Sequence, residues 1–375
     1  MNQFTILTII GTRPELIRLS RVINKLDKYF NQIIAHTGQN YDYELNQIFF
    51  NDLEIRKPNY FFNAAGETPG QTIGKILIET DKLLSEKKVD AILILGDTNS
   101  CLSAIVAKRR KIPIFHMEAG NRCFDLRVPE EINRKIIDHI SDINLTYSNI
   151  ARNYLIKEGL DPDKIICTGS PMKEVINYYS KQISDSNILS NLNLVENNYF
   201  LFSCHREENI DDKVNFNKLL NLLNQLANEY KFPIIFSTHP RTMKKIEDNK
   251  FSFSPLISFL KPLGFFDYMK LQTKAKCVLS DSGTITEESS ILDFPALNIR
   301  QTHERPEGME ESSVMLSGLD FKRVLQCLKI LDNQTRSGVR NLKIVKDYDI
   351  DNVSEKVSRI IISYTDFVNL YNWRK

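Results

Sequence analysis

Short apolar runs alternate with longer amphipathic stretches along most of the chain. Phe4–Ile10 (FTILTII) is β-rich and uninterrupted, the pattern of a parallel strand buried on both faces. It ends in Gly11-Thr12-Arg13-Pro14, after which Glu15–Leu26 takes helical periodicity. Further strands are predicted at Gln32–His36, Ala91–Leu95, Ile112–His116, Asp142–Thr146 and Lys164–Cys167, with helices over Leu102–Arg110 and from Pro129 to Ile140. The pattern then restarts with Tyr199–Ser203, Pro233–Ser237, Leu256–Leu260, Cys277–Leu279 and Ala296–Ile299. Two βα series imply two doubly wound, Rossmann-like α/β domains with parallel sheets. The break falls at Gly169-Ser170-Pro171, which predicts domains at 1–170 and 171–350. Residues 172–195, rich in Asn and Ser, suit a linker plus a short helix, and 351–375 a helical tail that packs back on the N-terminal domain.

Length and composition narrow the classes. The 375 residues are 42% hydrophobic and 26% charged, enough for two cores. The net charge of +2, from 49 basic and 47 acidic residues, gives no reason to expect nucleic acid or a membrane as partner. The cysteines at 101, 123, 167, 204, 277 and 327 form no CxxC pair, as expected of free thiols in a reducing compartment. The opening MNQFTILTIIGTRPE lacks a basic n-region, and no apolar run approaches the roughly 18 residues of a spanning helix, so a cytoplasmic protein is expected.

In open α/β sheets ligands sit beyond the carboxyl ends of the strands, so the residues placed there carry the candidate chemistry. Arg13, with Arg18 a turn later, opens the first helix: an anion site, or a strand-to-helix turn with Thr12 as cap. Asp97 follows the strand 91–95 and reads equally as a helix cap or a base. His116 and Glu118 have the His-x-Glu spacing of metal ligands, but no third ligand follows at a suggestive distance, and acid–base work suits Glu118 better. Glu130 and Glu131 either complement a helix dipole or add a carboxylate to the same place. In the second half His205-Arg206 and His239 end two strands. Ser282-Gly283-Thr284 leads from a strand straight into a helix that carries Glu288, an arrangement suited to a diphosphate and a ribose diol, or simply a Ser/Gly helix start. Glu304-Arg305-Pro306-Glu307-Gly308 follows the next strand and could border the same pocket.

Taken in order, GTRPE (11–15), TGQN (37–40), GDTNS (96–100), HMEAGNR (116–122), PEEINR (129–134), TGSP (168–171), HREEN (205–209), SDSGTITEE (280–288) and ERPEG (304–308) resemble the non-hydrolysing UDP-N-acetylglucosamine 2-epimerases, from Thr5 to about residue 330. The resemblance implies a glycosyltransferase-B-like fold with a cleft between the domains and UDP held mainly by the second. It implies acid–base roles for Asp97, Glu118, Glu130 and His205, and a binding set of Arg13, Arg18, Gln39, Arg134, Arg206, His239, Ser282, Gly283, Thr284, Glu288 and Arg305. The partner is a UDP-linked N-acetylamino sugar, the assembly a homodimer, and neither cofactor nor metal is required; no GxGxxG is present. By loose analogy with relatives, Gln39, Gln71 and His239 would line any second nucleotide-sugar site. The common form has lysine at position 18, leucine at 121 and a longer stretch before PEE. These departures resemble a sub-branch that forms UDP-N-acetyl-L-fucosamine from UDP-2-acetamido-2,6-dideoxy-L-talose for capsule or O-antigen assembly, or that epimerises a UDP-2,3-diacetamido uronic acid. The rivals are a glycosyltransferase of the same fold, a hydrolysing epimerase and an inactive UDP-sugar sensor; filled acid–base positions speak against the last.

Overall fold

The computed structural model describes residues 4–39, 43–238, 240–249, 251–300, 304–334 and 339–375. The chain divides into two compact units, 1–177 with 346–375, and 178–345. Residues 171–177 and 346–350 therefore belong to the first unit, not to the second as the Gly-Ser-Pro break suggested. The returning chain holds that break in place: Ser170 N donates to Asp347 O at 2.9 Å, and Ile350 packs directly on Gly169.

The first unit is built on seven parallel strands: β1 (Thr5–Ile10), β2 (Asn31–His36), β3 (Tyr60–Phe61), β4 (Ala91–Leu95), β5 (Ile114–Ala119), β6 (Ile143–Thr146) and β7 (Ile165–Cys167). Their spatial order is β3-β2-β1-β4-β5-β6-β7, so the winding reverses between β1 and β4. Leu7, Ile9, Ile92, Ile94 and Ile114 form one core with Leu83, Leu84, Leu102 and Ile137 of the covering helices. Both faces of β1 and β4 are covered, which is why these strands read as continuous apolar runs. Each fully buried aliphatic side chain stabilises the unit by about 1.5–3 kcal/mol. The helix Val353–Trp373 buries Val353, Val357, Ile361, Thr365 and Val368 along one stripe and lies on the helix Arg13–Tyr29. Lys25 pairs with Glu355 at 3.1 Å, and Asn372 Nδ2 donates to Asp142 at 2.7 Å.

The second unit repeats the plan with β8 (Phe200–Ser203), β9 (Ile234–Ser237), β10 (Ile257–Leu260), β11 (Cys277–Ser280), β12 (Ala296–Asn298) and β13 (Met315–Leu316). Their order is β10-β9-β8-β11-β12-β13, and the winding reverses between β8 and β11. Phe200, Phe202, Phe236, Leu279 and Leu297 meet Leu219 and Leu223 in its core. The stretch read as a linker forms three short helices, Met172–Tyr178, Ser180–Asp185 and Ile188–Asn191, which bury Ile183 and Ile188.

β5 lies two to three residues later than expected. Lys111 turns the chain through a left-handed conformation (φ 57°), and the strand then continues through Glu118 to Ala119. Its polar Glu118 had read as a residue just past a strand that ended at His116.

Candidate active site

The two reversal points are where a doubly wound sheet opens for ligands, and the expected residues gather beside them. In the first unit, Gly11 ends β1 against the paired hydroxyls of Thr37 and Ser100, which lie 2.9 Å apart. A Cβ on Gly11 would stand 2.2 and 2.0 Å from them, so packing, not ligand approach, demands the glycine. Thr12 is the helix cap by position, but its side chain makes no cap hydrogen bond. Glu15 takes that part: Gly11 N donates to it at 2.6 Å, and Thr98 Oγ1 donates to its other oxygen at 2.5 Å. Burial pushes the Glu15 carboxyl up to about 7, against hydrogen bonds from Thr98, Gly11 and Thr12 that lower it. Arg13 lies half-buried with its guanidinium over the Phe49 ring, and the Gln39 amide overhangs Gly11. Gln71 instead accepts from Glu67 N at 2.9 Å on an exposed helix start.

Arg18 is buried and donates to Glu118, with its guanidinium 5.9 Å from the Tyr147 ring centre. Glu118 has a left-handed backbone (φ 66°) at a bulge in the β5–β6 ladder. That conformation is costly for a residue other than glycine and re-aims the carboxylate out of the sheet. Its Oε2 lies beside Gly96, 3.9 Å from where a Cβ would stand, immediately before Asp97. Asp97 has its own arginine: Arg134 approaches Oδ2 through Nε and Nη2, both at 2.7 Å. Arg134 Nη1 donates to the fully buried Glu131 at 2.9 Å. Glu131 also accepts from Cys123 N and Phe124 N, and so shapes the loop before Pro129. Glu130, next to it, is half-buried and has no side-chain partner among the described residues. His116 is occupied on both sides: Nε2 donates to Gly96 O at 2.9 Å, and Nδ1 lies 3.0 Å from Asp138. Burial raises the Asp138 carboxyl, but His116 and Arg122 outweigh it and hold the group below its ordinary value. Among the described residues no group of three His, Cys, Asp or Glu could hold a metal ion.

In the second unit the organising residue is Asp281, fully buried after β11. It accepts from Cys204 Sγ (3.0 Å), His205 N (3.0 Å), Arg206 N (2.9 Å) and Asn209 Nδ2 (3.2 Å). Burial alone would raise its carboxyl; His205 and these donors hold it below the ordinary value. The loop after β8 is thus fixed, with the His205 side chain 48% exposed and its Nδ1 3.4 Å from Asp281. Ser282 and Thr284 hydroxyls pair at 3.0 Å, and Gly283 makes room for Glu304, whose Oε2 would be 2.9 Å from a Cβ there. Glu304 in turn holds Arg206 (3.2 Å) and Arg300 (2.9 Å). Arg305 is buried against Glu287 at 3.3 Å, and Glu288 accepts from Gln272 Nε2 at 2.7 Å. His239 lies outside the described residues.

Three residues that organise these sites were given no part from sequence: Glu15, Asp138 and Asp281. Only Glu15 had a readable signal, the Thr-x-x-Glu spacing of a capping box at Thr12–Glu15.

Two parallel doubly wound units, one with arginine-held carboxylates at its reversal point and the other with a Ser-Gly-Thr helix start at its own, define an enzyme of the glycosyltransferase-B-like fold. A kitacinnamycin glycotransferase shares that fold at a TM-score of 0.57 and 8% identity. The chain belongs to the UDP-N-acetylglucosamine 2-epimerase family, whose model matches residues 24–362. A UDP-N-acetylglucosamine 2-epimerase structure from Rickettsia bellii is 50% identical, with a TM-score of 0.92 over 100% of both chains. The Methanocaldococcus jannaschii enzyme in complex with UDP-GlcNAc and UDP is 34% identical with a TM-score of 0.89, covering 96% of this chain and 100% of that one. The Pseudomonas aeruginosa UDP-2,3-diacetamido-2,3-dideoxy-D-glucuronate 2-epimerase is 33% identical over 80% of this chain and 84% of its own. No helix among the described residues is long and apolar enough to cross a membrane.

Proposed function

We propose that the chain inverts carbon 2 of a UDP-linked N-acetylamino sugar by eliminating UDP and adding it back. The observation that carries this reading is the pair of carboxylates at the ends of neighbouring strands, Asp97 after β4 and Glu118 in β5, each held by its own arginine. The C2 proton of such a sugar is not acidic, and direct abstraction would leave an unstabilised carbanion. Elimination avoids this: a base takes the C2 proton while the C1–O bond breaks, giving UDP and a 2-acetamidoglycal. A proton then reaches the opposite face of C2 as UDP re-forms the C1–O bond. Two proton-transfer groups on opposite faces are needed, and we assign Glu118 and Glu130 to them. Asp97 supports one of them, and Arg134 acts by holding Asp97. Arg13, Arg18, His205 and Arg206 stabilise the departing diphosphate, with the Ser282-Gly283-Thr284 helix start. Glu288 takes the ribose diol; Gln39, His239 and Arg305 complete the binding set.

Among such sugars we infer UDP-2-acetamido-2,6-dideoxy-L-talose as substrate and UDP-N-acetyl-L-fucosamine as product, for capsule or O-antigen. Support comes from Arg18 in place of lysine, Asn121 in place of leucine and the short stretch FDLRV at 124–128. UDP-N-acetylglucosamine and a UDP-2,3-diacetamido uronic acid are the alternatives, matching the activities for which the relatives are named. A homodimer is proposed on the resemblance alone, and light scattering after gel filtration tests its size; a cytoplasmic location is proposed on the pattern of scattered, unpaired cysteines.

The three sugars are offered separately in D₂O and followed by proton NMR. Deuterium at C2 of intact UDP-sugar, with a new epimer, supports the reaction and names the substrate. Silence with all three, or UDP and free sugar accumulating, would overturn it. Near-normal turnover in both Glu118→Gln and Glu130→Gln would remove their assignment.

A further inference from the structure

Glu15 is a fully buried carboxyl with no part in the chemistry just described, yet it touches two segments that have one. Gly11 N donates to one of its oxygens at 2.6 Å and Thr98 Oγ1 to the other at 2.5 Å. Gly11 begins the turn that carries Arg13; Thr98 directly follows Asp97. One helical turn on from Glu15, Arg18 holds Glu118. The first two turns of the helix Arg13–Tyr29 thus reach the ends of both acid-bearing strands, β4 through Glu15 and β5 through Arg18.

We propose, resting on the epimerase reading, that Glu15 is a positioning residue. By bridging Gly11 N and Thr98 Oγ1, it fixes the Asp97 loop relative to the Arg13 turn and to Glu118. A covering contact would need only bulk; this one needs two acceptor oxygens facing two donors. Glutamine keeps the volume and an acceptor for Gly11 N, but its NH₂ must face Thr98 Oγ1, which has to turn from donor to acceptor, and two charge-assisted bonds become neutral ones. Burial places the Glu15 carboxyl near 7, so the wild-type bridge weakens on acidification as the carboxylate takes a proton. The charged and titratable groups around it are Arg13 and Arg18 on the same helix, Asp97 after β4, Cys101 in the turn Asn99–Ser103, Glu118 in β5, and Arg134 and Asp138 on the helix Pro129–Ile140.

The test compares wild type, Glu15→Gln, Thr98→Val and the double variant, by steady-state kinetics between pH 5.5 and 8.5 and by hydrogen–deuterium exchange. Expected for Glu15→Gln are a fall of about 10–100-fold in kcat with KM little changed, loss of the activity rise through pH 7, and faster exchange in segments 11–18 and 96–100. Thr98→Val should reproduce all three, and the double variant should be no worse than either single one. Wild-type kcat, an acidic limb that survives in Glu15→Gln, or unchanged exchange in both segments would each overturn the proposal. If Glu15→Gln does not fold, Thr98→Val decides by the same readouts. If the wild type shows no turnover on any of the three sugars, the epimerase reading fails, and the exchange measurement still decides whether Glu15 ties the two segments.

Discussion

Replacing Asp281 by asparagine should be among the most damaging isosteric changes in the second unit. The carboxylate is fully buried and accepts from four donors, two of them the backbone amides of His205 and Arg206. All four donors end on Oδ2, where asparagine can set its amide oxygen; its NH₂ then takes the place of Oδ1, which His205 N also approaches at 3.2 Å. The charge-assisted character of all four bonds is lost, and the new NH₂ opposes the N–H of His205, together at about 1–3 kcal/mol or slightly more. A total of about 3 kcal/mol follows. For a unit of this size each kcal/mol moves the melting temperature by about 2–4 °C, so a drop of about 6–12 °C is expected by calorimetry. UDP affinity should fall too, because the same loop carries His205 and Arg206. The loss should shrink in acid: the Asp281 carboxyl lies below its ordinary value in the folded chain, so its stabilisation is present above the unfolded value and disappears as pH falls through the folded one. A melting temperature within about 2 °C of wild type at neutral pH, with UDP binding intact, would refute the view that Asp281 builds this loop.

Arg18→Met leaves Glu118 without its arginine in a buried setting and should destabilise the first unit by about 3–5 kcal/mol, with part of the loss recovered by adding Glu118→Gln; urea unfolding of the single and double variants reads both. Gly308→Ala puts a Cβ 1.9 Å from Thr286 Cγ2 and should cost about 1–3 kcal/mol through overpacking, seen as a lower urea midpoint with unchanged slope. Glu15 holds its proton more tightly folded, at about 7, than its ordinary 4.5, so its contribution to stability falls as pH rises between these values. Glu15→Gln should therefore gain on wild type between pH 5 and pH 8, by of order 3 kcal/mol at most; equal pH slopes would contradict this. His36 tilts the opposite way, since burial lowers it from 6.5 to about 4 and stability rises with pH in that window; His36→Gln should flatten that rise in denaturation profiles taken from pH 4 to 7.

The strands that both faces of a sheet cover were legible because their apolar runs are continuous, as in β1 and β4. The two-residue strands β3 and β13 are too short to carry a period. β5 was misplaced at its end because Glu118 lies within it, and a polar residue in a strand imitates its end. At the sites, the motifs brought out the residues read as facing a ligand, but gave little sign of those that hold them in place. Glu131 and Asp281 stand beside Glu130 and Ser282 in the same short motifs; only their complete burial separates support from exposed chemistry. Arg134 was expected on the ligand, and its guanidinium meets Asp97 and Glu131 of its own unit.

The return of the chain to the first unit bears on how a newly made molecule matures. The second unit is one uninterrupted stretch, 178–345, and can close its core as soon as that stretch has left the ribosome. The first unit cannot, although its seven strands are translated earlier: the stripe from Val353 to Val368 that covers the helix Arg13–Tyr29 is made last. The half translated first is therefore the half completed last, and until residue 373 emerges it presents to the cell an apolar helix face that calls for a chaperone's cover.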